Sequence, residues 1–199
     1  MSTAVSLLTE TILLPEPIIP ATVTLAQALR MRRSTRSFRT DALSLATLSA
    51  LLWAGFGVNR RESDGRTAPS AHNWQEIDVY AVLPQGAYRY DARNHRLLLV
   101  KPQDLRALTG KQDFVDHAPL NLVYVADFAR MADARPEDRE FLVGADVGCI
   151  AQNVYLYCAA VGLATVVRGL VDRRQLALAL GLPIRQRVTL AQSVGLPGQ

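Results

Sequence analysis

The chain has 199 residues, 49% hydrophobic and 20% charged, an ordinary globular composition that supports one sizeable core or at most two small ones. Its 22 Lys and Arg exceed its 18 Asp and Glu by four, but the two signs are interleaved, so a small phosphorylated ligand accounts for the surplus as well as nucleic acid does. Two cysteines and three scattered histidines have no metal-ligand spacing and suit a reducing cytoplasm.

No basic stretch precedes the apolar patch at residues 12–14, which argues against a signal peptide. Pro15, Pro17 and Pro20 instead keep an N-terminal arm, residues 1–22, extended ahead of a single domain over 23–199. Thr24 and Gln27 form a capping box for a helix over 24–31, on which Leu25, Ala28 and Leu29 share a face. Arg32, Arg33, Ser34, Thr35 and Arg36 follow at once. A second helix is predicted from Ser44 to about Gly55, where Leu45, Leu48, Leu51, Leu52 and Trp53 form the apolar face. Residues 58–73 are polar and turn-rich and read as a surface loop.

A buried strand is predicted over 77–83, then a hairpin pairing 88–90 with 96–100 and turning at 91–94. A short helical stretch near 103–109 leads to a strong strand at 120–126. The longest helix starts near Pro136 and runs to Gly162. From Val147 to Leu163 it is apolar nearly all round, but the Gln152-Asn153 pair leaves its apolar stretch short of the ~20 residues a membrane span requires. It is expected to lie between the core and a second protomer. Asp172 and Gln175 open a helix that stops at Gly181, and residues 188–194 give a last strand. Strands and helices mixed without βαβ repetition indicate an α+β fold.

The run at 32–36 holds three fixed cations and two hydroxyls, a set that makes charge-assisted bonds to a phosphate. A solvated helix end, with cations favoured by the helix dipole, looks much the same in sequence. There is no Walker loop, no Gly-x-Gly-x-x-Gly opening a helix and no Gly-x-Ser-x-Gly elbow, and His72, His95 and His117 have no context that singles them out. The remaining cues are the turn Pro69-Ser70-Ala71-His72-Asn73, the Gln152-Asn153 pair and Arg168-Gly169.

Taken in order, the chain resembles the FMN-dependent nitroreductase family. The pieces are Arg32-Arg33-Ser34-Thr35-Arg36-Ser37-Phe38, the helix through Trp53, Pro69-Ser70-Ala71, Gln112 before Ala118-Pro119, the segment from Gly148 to Gly162, and Val194-Gly195-Leu196-Pro197, together spanning about residues 12–197. Leu14-Pro15-Glu16-Pro17, Leu51-Leu52-Trp53-Ala54 and Arg66-Thr67-Ala68 place it nearest the azoline-oxidising dehydrogenases of peptide-toxin biosynthesis, whereas His72-Asn73-Trp74-Gln75 is similar to ordinary nitroreductases.

The resemblance implies a nitroreductase-like α+β fold, a central mostly antiparallel sheet flanked by helices, in an intertwined homodimer with FMN at the interface. Arg32, Arg33 and Ser34 would serve the phosphate and ribityl end, and Arg36 and Gln112 the pyrimidine edge. Pro69, Ser70, Ala71 and Asn73 would pack from the partner chain, and Gly169 would present its N–H near the flavin N5. The family's usual basic pair after the terminal turn has no counterpart before Gln199, so Arg168, Arg185 or Arg187 would complete the phosphate site. The implied activity is hydride transfer from NAD(P)H through FMN to a nitroaromatic, quinone or similar small acceptor, with no catalytic side chain and no metal. Dehydrogenation of a metabolite or peptide heterocycle is the alternative enzyme reading, and a non-catalytic anion- or nucleic-acid-binding module the alternative outside enzymes. The expected setting is cytoplasmic, without nucleic-acid or membrane partners.

Overall fold

The structure, a computed structural model, describes residues 10–19 and 22–199; Pro20, one of the three arm prolines, lies outside them. The described residues form β1 (Thr11–Leu13), α1 (Leu25–Met31), α2 (Leu45–Phe56), β2 (Val58–Arg60), β3 (Gly65–Arg66), β4 (Ile77–Leu83), β5 (Gly86–Asp91), β6 (Arg96–Lys101), β7 (Leu120–Asp127), α3 (Pro136–Val161), β8 (Ala164–Arg168), α4 (Arg173–Leu180) and β9 (Gln186–Gly195). Seven strands make one antiparallel sheet in the order β1-β6-β5-β4-β7-β9-β8, and β2 pairs with β3 in a small hairpin. The architecture is α+β.

Local chemistry sets the helix ends. The α1 capping box is complete: Gln27 N–H donates to the Thr24 hydroxyl and Thr24 N–H donates to Gln27 Oε1. Ser44 and Asp172 accept from the third residue of α2 and α4 in the same way. Gly162 and Gly181 end α3 and α4 in the left-handed conformation that favours glycine.

The two central strands β4 and β7 are buried along their whole length because helices cover both faces of the sheet. Ile77, Val79, Ala81 and Leu83 turn toward α2 and α3, packing with Leu51, Leu52, Val147 and Ile150. Tyr80 and Val82 turn the other way, toward Leu176 and Leu180 of α4. This two-residue alternation between two apolar layers explains why the strand at 77–83 reads as a continuous apolar run.

Four strands lie where none was expected. The arm is extended, and within it Thr11–Leu13 pairs with β6 as the sheet edge. A buried cluster pins it: Ser49 Oγ donates to the Pro15 carbonyl at 2.5 Å and accepts from His95 Nε2 at 2.7 Å, while Tyr90 donates to His95 Nδ1 at 2.9 Å. His95 is thus a satisfied structural histidine. Residues 58–73, read as a surface loop, carry the hairpin β2–β3, and β8 occupies the sheet edge after α3, where no element was predicted. On α1 only Ala28 is buried; Leu25 and Leu29 are 65% and 53% exposed, so the apolar face of this helix is largely uncovered by its own chain.

Candidate functional site

The arginine run is an extended strap laid on the end of the sheet. Arg32, with φ −56° and ψ 122°, leaves the helix, and Thr35 N–H then donates to the Thr165 carbonyl of β8 at 3.0 Å. The chain's last residues clasp the strap from the other side. Arg39 N–H donates to Leu196 O at 2.9 Å, Gly198 N–H donates to Ser37 O at 3.0 Å, and Phe38 bridges Pro197.

Tyr155 of α3 is the hub beneath it. Its hydroxyl accepts from Val167 N–H at 2.9 Å and lies 2.8 Å from Ser34 Oγ. When Tyr155 donates to Ser34, the serine's own hydrogen is left for a ligand. The Arg32 guanidinium lies 5.2 Å from the centre of the Tyr155 ring, a cation–π placement that holds the cation above the cavity floor. Tyr155→Phe removes both hydrogen bonds and strands the Val167 N–H; it is expected to cost about 1–3 kcal/mol of unfolding free energy, measured by urea denaturation, and to loosen the strap.

Arg30, Arg32, Arg33, Thr35, Tyr155 and Thr165 line a cavity of about 460 Å³, and no carboxylate lines it. Among the described residues, Arg30, Arg32, Arg33 and Arg36 form no ion pair. A merely dipole-favoured helix end does not explain the arrangement, since Arg30 alone belongs to the last turn of α1 and the other three lie beyond it. The α3 end bordering the cavity is closed by its own backbone, with Gly162 and Leu163 N–H groups both directed at Cys158 O. Arg36 is exposed and lies outside the cavity lining.

A second group sits one residue beyond the Tyr155 bond to Val167. Arg168 ends β8 only 4% exposed, and among the described residues it has no acidic partner. It donates to Thr109 O and Asn121 Oδ1, both at 2.8 Å, and to Gln112 Oε1 at 3.4 Å. Burial lowers its pKa to about 10, so the buried guanidinium is still charged at neutral pH. Gly169 beside it is exposed, and its carbonyl accepts from Val171 N–H and from Arg173, which fixes the turn. Gln112 and Arg168 are therefore brought together, and Phe38 reaches this end through Phe114, ring centres 5.6 Å apart.

The turn at 69–73 is elsewhere. Ala71 N–H donates to Asp146 Oδ2 of α3 at 2.8 Å, and Ser70 Oγ accepts from Gln75 N–H at 3.0 Å. His72, Asn73 and Gln75 all have φ near +50°, a strained backbone that persists where the surroundings hold it. Asp146 and Tyr155 are nine residues apart on one helix, which at ~100° and ~1.5 Å per residue places the turn and the strap on opposite faces, about 13 Å apart along the axis. One copy of the chain does not bring Pro69, Ser70, Ala71 and Asn73 together with Arg32, Arg33 and Ser34.

Comparison with known proteins shows the family. The profile described as Nitroreductase family matches residues 29–196, most of the chain. The chain belongs to the nitroreductase family. A crystal structure from Ralstonia eutropha JMP134 that carries a nitroreductase name superposes with a TM-score of 0.92 at 46% identity, covering 96% of this chain and 91% of that one. The Methanocaldococcus jannaschii protein MJ1384, also named for the nitroreductases, is 30% identical over 157 residues, 74% of this chain and 79% of its own length. The NADPH:FMN oxidoreductase of Vibrio harveyi, solved with NAD+, shares the fold at 23% identity with a TM-score of 0.65, covering 88% of this chain and 69% of that one. The antiparallel sheet flanked by helices is a nitroreductase-like fold.

Within this family frame, Arg185 and Arg187 are excluded as neighbours of the strap. They sit at the opposite end of β9, paired with Asp127 and Glu140. Arg30 and Tyr155 went unnoticed in the sequence: Arg30 is an ordinary last-turn cation, and Tyr155 looks like one more apolar residue of a buried helix. The spacing from Arg30 to Arg32 and Arg33, one helical turn's end to the start of a strap, was the available signal for the first.

Proposed function

We propose that the chain is an FMN-dependent oxidoreductase that takes hydride from NADH or NADPH and reduces a nitroaromatic, quinone or similar small acceptor. The observation that carries it is the cavity of about 460 Å³ lined by three arginines and no carboxylate, tied through Tyr155 to Val167, the neighbour of the buried Arg168. That donor set fits an organic phosphate attached to a polar ring, the two ends of FMN.

Arg30, Arg32 and Arg33 would hold the phosphate, with Ser34 donating toward the ribityl chain. Gln112 would meet the pyrimidine edge. When bound, FMN supplies two-electron chemistry at its N5, between a nicotinamide donor and the acceptor. The chain's residues bind and orient the ring and set its electrostatics; no side chain is required as acid or base. Pro69, Ser70, Ala71 and Asn73 would complete the site from a second copy. The opposite-face placement of strap and turn on α3 supports a homodimer, as do the exposed Leu25, Leu29 and Met31 of α1 and Phe141 of α3. An added Cβ at Gly144 or Gly148 meets nothing within 4 Å, leaving that face of α3 open to close approach.

A cytoplasmic setting is supported by two free cysteines, Cys149 and Cys158. Of the described helices only α3 is long and apolar enough to cross a membrane, and half of its most apolar window is buried in the chain, which supports a core helix instead.

The test is the visible spectrum of purified protein, with FMN added if needed, before and after anaerobic NADPH or NADH. Flavin bands that bleach within the mixing experiment are the expected result. Failure to take up FMN overturns the reading, and bound flavin that neither nucleotide bleaches redirects it to oxidation of a bound substrate.

A further inference from the structure

Among the described residues, nothing neutralises the buried cation of Arg168. It is 4% exposed, the three groups that accept from it (Thr109, Asn121 and Gln112) are all uncharged, and its Nε is buried without a hydrogen-bond partner. Burying an unpaired charge opposes folding, so its retention calls for something it serves. The surroundings are built for it. Gly110 lies so close that a Cβ there would come within 1.9 Å of Arg168 Nη1 and 2.5 Å of Gln112 Oε1, so a side chain at 110 and this guanidinium cannot share the space.

Asn121 is locked in turn: its Oδ1 accepts from Arg168 and from Ser193 Oγ at 2.6 Å, and its Nδ2 donates to Val115 O at 2.7 Å. Every hydrogen bond that orients the guanidinium goes to a neutral acceptor, and those to Thr109 and Asn121 are buried, which leaves its full charge to act on what occupies the adjoining site.

The contact with Gln112 has a second effect. Because Arg168 donates to Gln112 Oε1, the amide is fixed with its NH₂ turned away from the guanidinium. Gln112, which is half-buried, thereby keeps its NH₂ free to donate to a ligand, while its Oε1 faces the guanidinium.

We infer that Arg168 is a positioning residue that makes this end of the site selective for an anionic ring edge: it supplies uncompensated positive potential and holds Gln112 as a hydrogen-bond donor. Resting on the flavin reading above, the ligand state so favoured is the two-electron-reduced ring, which on gaining two electrons and one proton carries a negative charge on its pyrimidine side. Arg168 would thus raise the affinity for reduced over oxidised FMN without touching the phosphate.

The experiment compares binding of oxidised FMN and of FMN reduced with dithionite, under anaerobic conditions, to the wild type and to Arg168→Lys, Arg168→Met and Gln112→Glu. The readout is the ratio of the two dissociation constants. The wild type should favour the reduced form. Arg168→Met should lower that preference about tenfold or more, a size equal to one pKa unit of differential interaction. Arg168→Lys, which keeps the charge, should retain most of it. Gln112→Glu places a carboxylate against the guanidinium and should lower the preference even where Arg168→Met fails to fold. An unchanged ratio in Gln112→Glu, or in a folded Arg168→Met, overturns the role of Arg168 while leaving the cofactor assignment intact. A wild type that binds neither form overturns both.

Discussion

Arg32→Ala is expected to weaken FMN binding roughly 10- to 100-fold while leaving riboflavin binding unchanged, the size of one lost charge-assisted bond. The selectivity is the informative part. Arg32 lines a cavity with Arg30 and Arg33 and no carboxylate, and the Tyr155 ring offers only a cation–π contact, so among the described residues no anion satisfies it. Removing the guanidinium therefore breaks little within the fold and takes a partner only from a phosphate. Arg30→Ala should act in the same direction, because Arg30 lines the same cavity. Arg36→Ala should instead shift the flavin potential more than the affinity, as Arg36 lies outside that lining. Fluorescence titrations with FMN and riboflavin decide the matter. Equal losses for both ligands in Arg32→Ala would show that the strap had unravelled, and an unchanged FMN affinity would remove Arg32 from the phosphate site.

The second large effect is a loss of stability as pH rises through the acid and neutral range, traced to Glu76. This residue is fully buried, and both of its carboxylate oxygens lack a donor. Burial raises its pKa from 4.5 to about 7, and the Asp146 carboxylate beside it adds to the rise. Asp146 Oδ2 is already engaged by Ala71 N–H, so a proton on Glu76 directed at Asp146 is what lets the two carboxyls sit together. The unfolded chain gives up this proton near 4.5, whereas the folded chain keeps it until about 7. The stabilisation is therefore complete below 4.5, declines between 4.5 and about 7, and is gone above that. Glu76→Gln, whose amide donates to Asp146 at every pH, should flatten that part of the profile and stabilise the protein most at alkaline pH. Thermal midpoints from pH 4.5 to 8.5 for both proteins provide the check. A wild-type decline that persists undiminished in Glu76→Gln assigns it to other groups.

The helices were legible because their ends are written in short-range chemistry. Thr24 with Gln27, Ser44, Asp172, Gly162 and Gly181 each mark a boundary within one residue of the observed one. Strands β4, β7 and β9 were legible as apolar runs. The missed strands lack that signal. Those from Thr11–Leu13, Val58–Arg60 and Gly65–Arg66 have two or three residues each, and only pairing with a distant or adjacent segment defines them. Strand β8 is five residues long and ends in Arg168, whose burial depends on Thr109 and Asn121, 59 and 47 residues away in sequence. The site follows the same rule. The cations of the strap could be read from adjacency, but the cavity they share with Tyr155 is formed by the meeting of α1, α3 and β8, and no local pattern encodes it.

The opposite-face placement of Asp146 and Tyr155 on α3 has a consequence for how defects combine. In a two-fold assembly of the kind proposed above, each site takes its strap from one chain and its turn from the other. A lesion in the strap and a lesion in the turn, carried on different chains, then fall together at one site and leave the other whole. Two inactive alleles mixed in one cell would complement each other, whereas the same two lesions on a single chain would not.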